Sequence, residues 1–345
     1  MGPRTEIQRL RACGNRTMPD RRRSFELKPL YVLGKPIAHS RSPVFQNAAL
    51  NAAGLPEVYQ TREVDAEGLA EVAAEVRKEQ TLGCNITLPH KEAAAALADA
   101  RTDAVVQTGV ANTWWLDDGQ LWADNTDIYG LQMSFAALLG ERLAKRVVIL
   151  GAGGAAQAAL YALAPVVEDV TLVNRTLSKA EATLENAGRW LGDATKTRAL
   201  AWPSEAADSE EVNAALRHAD LVVQTSSIPV LFPDDPKPFA ALDFEALGAN
   251  QGALVELVYG DKPTVAMQRA QAGGAKVLDG ATMLLHQGAR SFERWVGTRP
   301  NIVVMRDALA GALVRDPSEI AAEVPENIRT LWGADTPREA KCNRN

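Results

Sequence analysis

In the stretch GCNITLPHKEAA, residues 83–94, an apolar β-type run stops at Pro89 and a lysine follows at position 91. Lys91 opens a helix-like segment. A cation there meets the unfavourable end of the helix macrodipole, where a purely structural sequence would place an acid. The same dipole, joined by burial, disfavours the charged ammonium and suits a lysine to proton transfer. Taken alone, the stretch fits a solvated surface lysine better than a catalytic one.

Other strand ends carry further reactive groups. GKPIAHSRSP offers the hydroxyls of Ser40 and Ser42, GVANTWW the amide of Asn112, ADNTDIYG the carboxylate of Asp127, and MLLHQGA the amide of Gln287. Each has a plain structural role: Ser42 as an N-cap, Asn112 and Asp127 as turn residues, Gln287 as a helix residue. Together they supply hydroxyl, amide, amine and carboxylate groups at strand ends. That set suits a small molecule bearing several hydroxyls and a carboxylate.

A second constellation is GAGGAA, Gly151 to Ala156, which fits G-x-G-x-x-A. Gly151 allows the tight turn, Gly153 lets the backbone approach a pyrophosphate, and Ala156 keeps the helix close to its strand. The helix N-terminus then offers free N–H groups to phosphate. An NAD site places an acid about 20 residues on, for the ribose 2′-OH. Here Asn174 stands at that place, with Arg175 beside it and Lys179 a helical turn beyond. Arginine forms charge-assisted bonds with a 2′-phosphate, so the pattern selects NADP. The alternative is an ordinary charged strand end.

The elements that must position these groups alternate between strand and helix from about residue 30. LYVLG, YQTREV and GCNITL read as strands, with helices over SPVFQNAALNAAG, AEGLAEVAAEVRKE and HKEAAAALAD between and after them. GVANTWWL and QLWADN read as two strands around the turn DDG. A second pattern begins near Thr126. RVVIL, DVTLVNR, LVVQTS, ALVELVY and AKVLDG are strand-like, and TMLLHQGARSFERWVG is a strong final helix. The alternation predicts an α/β protein of two domains, the second a Rossmann-like doubly wound unit.

The chain's 345 residues suffice for two such domains, and its net charge of −6 gives no general basic character for nucleic acid. Cys13, Cys84 and Cys342 lie far apart, as expected in a reducing cytoplasm. His39, His90, His218 and His286 show no metal-ligand spacing, and no apolar run is long enough to span a bilayer. Residues 1–25 are arginine-rich and read as a flexible extension. Residues 316–345, with mixed charge and several prolines, read as a weakly packed tail.

The chain resembles the shikimate dehydrogenase family through GKPIAHSRSPVFQNAAL, NITLPHK, GVANT, DNTDIYG, GAGGAAQAA, NRTLSKA and DGATMLLHQGARSFERWVG, in the family's order across residues 29–297. The resemblance implies a discontinuous substrate domain (26–127 and 281–315) around an NADP-binding domain (128–280). It implies reversible NADPH-dependent reduction of 3-dehydroshikimate to shikimate, a step of chorismate and aromatic amino acid biosynthesis. Carried over, Lys91 is the acid/base residue and Asp127 its hydrogen-bonded companion. Ser40 and Ser42 hold the substrate carboxylate, while Thr87, Asn112, Tyr259 and Gln287 match the remaining substrate ligands. Gly151, Ala152, Gly153, Gly154, Ala155, Asn174, Arg175, Thr176, Lys179, Leu257 and Gly280 match cofactor contacts. A monomer or homodimer without metal is implied.

The departures are Gln46-Asn47 for the family's His-Asn, Gln224, Ser226 and Pro229 in QTSSIP for NATSxG, and Leu257 in ELVYGD where methionine is common. The last two bear on the nicotinamide side of the cofactor. The rival readings are a quinate/shikimate dehydrogenase, often NAD-using, and a non-catalytic relative binding NADPH or another ligand. The second is marked by loss of Lys91 or Asp127, and both are present.

Overall fold

A computed structural model describes residues 28–334. The first layer is built on six strands and the helices between them. In chain order these are β1 (Leu30–Gly34), α1 (Ser42–Ala52), β2 (Tyr59–Glu63), α2 (Ala66–Arg77), β3 (Gly83–Ile86), α3 (Lys91–Leu97), β4 (Ala100–Arg101), α4 (Asp103–Thr108), β5 (Thr113–Asp117) and β6 (Gln120–Asp124). The sheet order is β2-β1-β3-β5-β6-β4. β1 pairs in parallel with β2 and β3, while β5 runs antiparallel to β3 and β6. Two-sided burial explains the unbroken apolar runs. Leu33, Cys84, Ile86 and Trp114 face α2 and α3, while Leu30, Val32, Phe45 and Trp295 fill the other side.

The long helix α5 (Asp127–Leu139) leads to the second layer: β7 (Arg146–Leu150), α6 (Gly154–Leu163), β8 (Asp169–Asn174), α7 (Leu177–Ala187), β9 (Lys196–Ala201), α8 (Glu210–His218), β10 (Leu221–Gln224), α9 (Ile228–Leu231), β11 (Ala253–Glu256), α10 (Val265–Ala272) and β12 (Lys276–Leu278). All six strands are parallel in the order β12-β11-β10-β7-β8-β9. The order reverses between β7 and β10, so a crevice opens at their carboxyl ends.

The chain then returns to the first sheet through α11 (Gly280–Val296) and α12 (Ile302–Leu313). Trp295 Nε1 donates to Trp114 O at 3.0 Å, and Arg294 Nε to Asp124 Oδ2 at 2.9 Å. α11 packs closely on α5 because Gly130 has no side chain; a Cβ there would lie 2.6 Å from Met283 O.

Two expectations need correction. Ser42 is the first helical residue of α1 rather than its N-cap; Arg41 holds the cap position without a side-chain bond. Ser40 Oγ accepts the Ser42 N–H at 3.3 Å, which leaves the Ser42 hydroxyl for other partners. Over residues 316–334 the expected tail is not weakly packed. Ile320, Val324, Ile328 and Trp332 are buried, the last two on α13 (Glu326–Leu331) and its C-cap. An apolar residue at every fourth position anchors the segment despite its charges and prolines. Residues 1–27 and 335–345, which include the expected leader, lie outside the described residues.

Candidate active site

Lys91 is the first residue of α3, after His90, whose Nε2 is 2.8 Å from Val64 O. That contact pins the entry to the helix and aims the lysine back toward the sheet ends. Lys91 Nζ forms an ion pair with Asp127 Oδ2; the side chains are 16% and 7% exposed. Asp127 opens α5, and the loop before it is held by Asp124. Asp124 Oδ1 accepts from Thr102 Oγ1 at 2.9 Å and from Asn125 N at 2.8 Å, and Arg294 holds its other oxygen.

Asn112 Nδ2 donates to Asp127 Oδ1 at 2.8 Å and approaches Gln287 Oε1 at 3.4 Å. The carboxylate of Asp127 therefore has one oxygen on an amide and the other on an ammonium. Three residues picked from separate motifs, Asn112, Asp127 and Gln287, meet at the lysine. Thr87 shares the cleft wall with Lys91.

Ser40 and Ser42 lie at the start of α1, and Tyr259 lies near Arg41, which separates them. Burial is the main cause that raises the Tyr259 pKa, and the Arg41 N–H and guanidinium oppose it. Burial therefore keeps the phenol in its neutral form. Gln46, in place of the family's histidine, donates to Gly288 O at 2.9 Å and so ties α1 to the turn of α11 that carries Gln287.

The glycine turn faces Thr87 and Lys91 across a cleft of about 290 Å³, whose lining does not include Ser40, Ser42, Asn112, Asp127, Tyr259 or Gln287. Its walls include Thr87, Lys91, Gly151 to Ala155, Asn174, Arg175 and Lys179. A Cβ on Gly154 would lie only 3.9 Å from Lys91 Cδ, so the lysine reaches the mouth of the turn. Gly151 has φ +109, and a Cβ there would lie 2.7 Å from Thr225 Oγ1, so the turn demands glycine. A Cβ on Gly153 meets nothing within 4 Å, which leaves the α6 N-terminus open. No side chain caps that terminus. Its free N–H groups, with Arg175 and Lys179 exposed on the far wall, fit a phosphorylated dinucleotide.

Other predicted cofactor residues sit at the edges. Asn174 Nδ2 donates to Thr176 O at 2.9 Å, and Thr176 is the N-cap position of α7 outside the cleft lining. Leu257 and Gly280 touch each other, and a Cβ on Gly280 would collide with Leu257 O. The structure adds wall residues not picked out from the sequence: Val110, Trp202, Thr225 and Ile228. Val110 and Thr225 fall inside segments read as strands, Ile228 follows one, and Trp202 follows β9, which is not among the strands read from the sequence. Among the described residues no three His, Cys, Asp or Glu side chains gather as a metal site, and no helix is long and apolar enough to cross a membrane.

The chain matches the family model of the shikimate dehydrogenase substrate binding domain over residues 32–114 and that of the shikimate 5′-dehydrogenase C-terminal domain over 280–310. It is 35% identical over 291 residues to shikimate dehydrogenase (NADP(+)) of Bartonella tribocorum, covering 84% of this chain and 94% of the relative. A crystal structure of a shikimate dehydrogenase in complex with NADP+ superposes with TM-score 0.73 at 30% identity, covering 83% of this chain and 96% of that one. Shikimate 5-dehydrogenase from Thermus thermophilus in complex with shikimate gives TM-score 0.69 at 33% identity, covering 84% and 100%. With the motifs, the fold and the site geometry in agreement, this chain belongs to the shikimate dehydrogenase family.

Proposed function

We propose that this chain catalyses the reversible, NADP-dependent interconversion of 3-dehydroshikimate and shikimate, with Lys91 as the acid/base residue. The observation that carries the reading is the Lys91–Asp127–Asn112 assembly standing at the mouth of the glycine turn. NADPH, when bound along the turn, supplies the hydride for the ring ketone. The chain supplies the rest. Lys91 gives its proton to the ketone oxygen as charge develops there, and in the oxidative direction takes the hydroxyl proton back. Asp127 orients both the ammonium and the substrate hydroxyl, while Asn112, Gln287 and Thr87 hold the neighbouring hydroxyls. Ser40, Ser42 and Tyr259 donate hydrogen bonds to the ring carboxylate. Arg175 and Lys179 bind the 2′-phosphate.

The fully buried, unpaired thiol of Cys84 supports work in a reducing cytoplasm, where the reaction serves aromatic amino acid biosynthesis. The test is nicotinamide absorbance with purified protein, offering shikimate and quinate each with NADP and NAD. Shikimate with NADP is the expected best pair. Absence of any turnover with shikimate sinks the reading, and a preference for quinate moves it to the sister activity.

A further inference from the structure

Behind the catalytic group lies a buried cluster of polar side chains on five separate segments. Tyr59 comes from β2, Asn85 from β3, Thr113 from β5, Thr126 from the loop before α5, and Ser291 from α11. None is more than 5% exposed. The hydroxyls of Thr113, Thr126 and Ser291 form a closed triangle: Thr113 to Ser291 is 2.9 Å, Thr126 to Ser291 is 3.0 Å, and Thr113 to Thr126 is 3.2 Å.

Within the triangle either hydroxyl of a pair can be the donor, whereas contacts to amide and carbonyl groups have set directions. Tyr59 Oη donates to Asn85 Oδ1 at 2.7 Å, which turns Asn85 Nδ2 toward Ser291 Oγ at 2.8 Å and Thr113 Oγ1 at 3.0 Å. Ser291 gives its own proton to Gln287 O at 3.0 Å. Thr113 gives its proton to Asn112 Oδ1 at 2.9 Å. The same Asn112 oxygen also accepts from Thr126 N at 2.8 Å and is 3.1 Å from Thr126 Oγ1. Asn112 Oδ1 is thus held from behind, and its Nδ2 is presented to Asp127 Oδ1 at 2.8 Å. That leaves the other Asp127 oxygen on Lys91.

We propose that Thr113 and Ser291 are positioning residues: Thr113 bonds the Asn112 amide oxygen, Ser291 seats Thr113 from behind, and together they hold the amide against Asp127 and keep Lys91 aimed at the reacting oxygen. The claim rests on the reaction proposed above. At positions this buried, removing a hydroxyl leaves its partner without a bond, so the amide loosens. A loss of about one hydrogen bond at this point corresponds to a roughly five- to tenfold fall in kcat.

The experiment compares Thr113→Val, Ser291→Ala and Thr113→Ser with the wild-type protein. The expected result is a kcat lower by that factor in the first two, with KM for NADP unchanged and activity restored in Thr113→Ser. A second readout needs no substrate: Lys91 acetylation by acetic anhydride, followed by mass spectrometry, should run several-fold faster in the first two variants as the ion pair loosens. Wild-type kcat in both variants, a loss that Thr113→Ser does not restore, or Lys91 acetylation at the wild-type rate overturns the claim. If the wild-type protein does not oxidise shikimate, the reaction assignment fails, and the acetylation rates alone decide the positioning role.

Discussion

Gln224 and Glu256 stand side by side in the register of β10 and β11, both with no exposure to solvent. Each bends onto the loop that follows its own strand. Gln224 Oε1 accepts from Ser226 N at 2.8 Å; Glu256 Oε1 accepts from Val258 N at 3.1 Å, and its other oxygen from Thr264 Oγ1 at 3.1 Å. The pair therefore shapes both the loop that carries Thr225 and Ile228 into the cleft and the loop that carries Leu257 and Tyr259. In the family's NATSxG pattern a shorter Asn stands at the Gln224 position.

Glu256 makes stability depend on pH. Burial pushes its pKa up from 4.5 to about 8, against the pull of the Val258 N–H and the Thr264 hydroxyl. The unfolded chain then releases this proton near pH 4.5 and the folded chain near 8, so across that window the folded state binds more protons. Its contribution is full below pH 4.5 and is lost as the pH rises to about 8. His286 runs the other way. Burial lowers its pKa from 6.5 to about 4, so its contribution is full above pH 6.5 and is lost toward 4. Of these two groups, only Glu256 acts between pH 6.5 and 8. Glu256→Gln should flatten the fall of Tm across that interval and exceed wild-type stability at its upper end by about 1–3 kcal/mol. Parallel Tm curves for the two proteins would show that the buried carboxyl has no such part.

Much of this was legible from local chemistry. GAGGAA after an apolar β-branched run specifies its own turn, because the φ of Gly151 excludes other residues. NITLPHK and DNTD each announce a strand end with reactive groups, and their meeting follows from parallel strands opening on one side. What stayed hidden is long-range. Ser291 sits 178 positions from Thr113 on a helix whose apolar stripe gives no hint that one hydroxyl faces a polar cluster. The seating of Trp332 was likewise masked by the charges around it. Short elements such as β4 and α4 lack the length over which periodicity can be read.

Trp332 tests the packing of the C-terminal segment. Its ring is fully buried, lies 5.8 Å from that of Phe135 on α5, and its Nε1 donates to Gly140 O at 2.9 Å. Trp332→Ala should destabilise the protein by about 3–5 kcal/mol, the usual cost of emptying a buried indole site. Denaturant unfolding measures this. A loss below about 0.5 kcal/mol, as at a surface position, would show that the segment does not hold to α5 in solution.

Arg175 tests the choice of cofactor. It is exposed on the cleft wall at the end of β8, where an acid would repel a 2′-phosphate. Arg175→Ala should raise KM for NADPH about ten- to hundredfold while leaving NADH little changed. Adding Lys179→Ala should deepen the loss. Equal losses with the two cofactors would assign Arg175 to folding or to the pyrophosphate instead.

Lys91 and Asp127 act as one unit if the proton passes between the ammonium and the substrate oxygen. Lys91→Ala should then lower kcat by about 10²–10⁴-fold, with a smaller change in KM for shikimate. Asp127→Asn keeps the shape and one hydrogen bond but removes the charge that holds the ammonium in place, so its kcat should fall by less. The double variant is the sharper measurement. If Asp127 acts mainly through Lys91, removing both should cost little more than removing the lysine alone. Two losses that multiply would mean that the carboxylate acts on the substrate independently of the amine, and the acid/base role would then have to be divided between them.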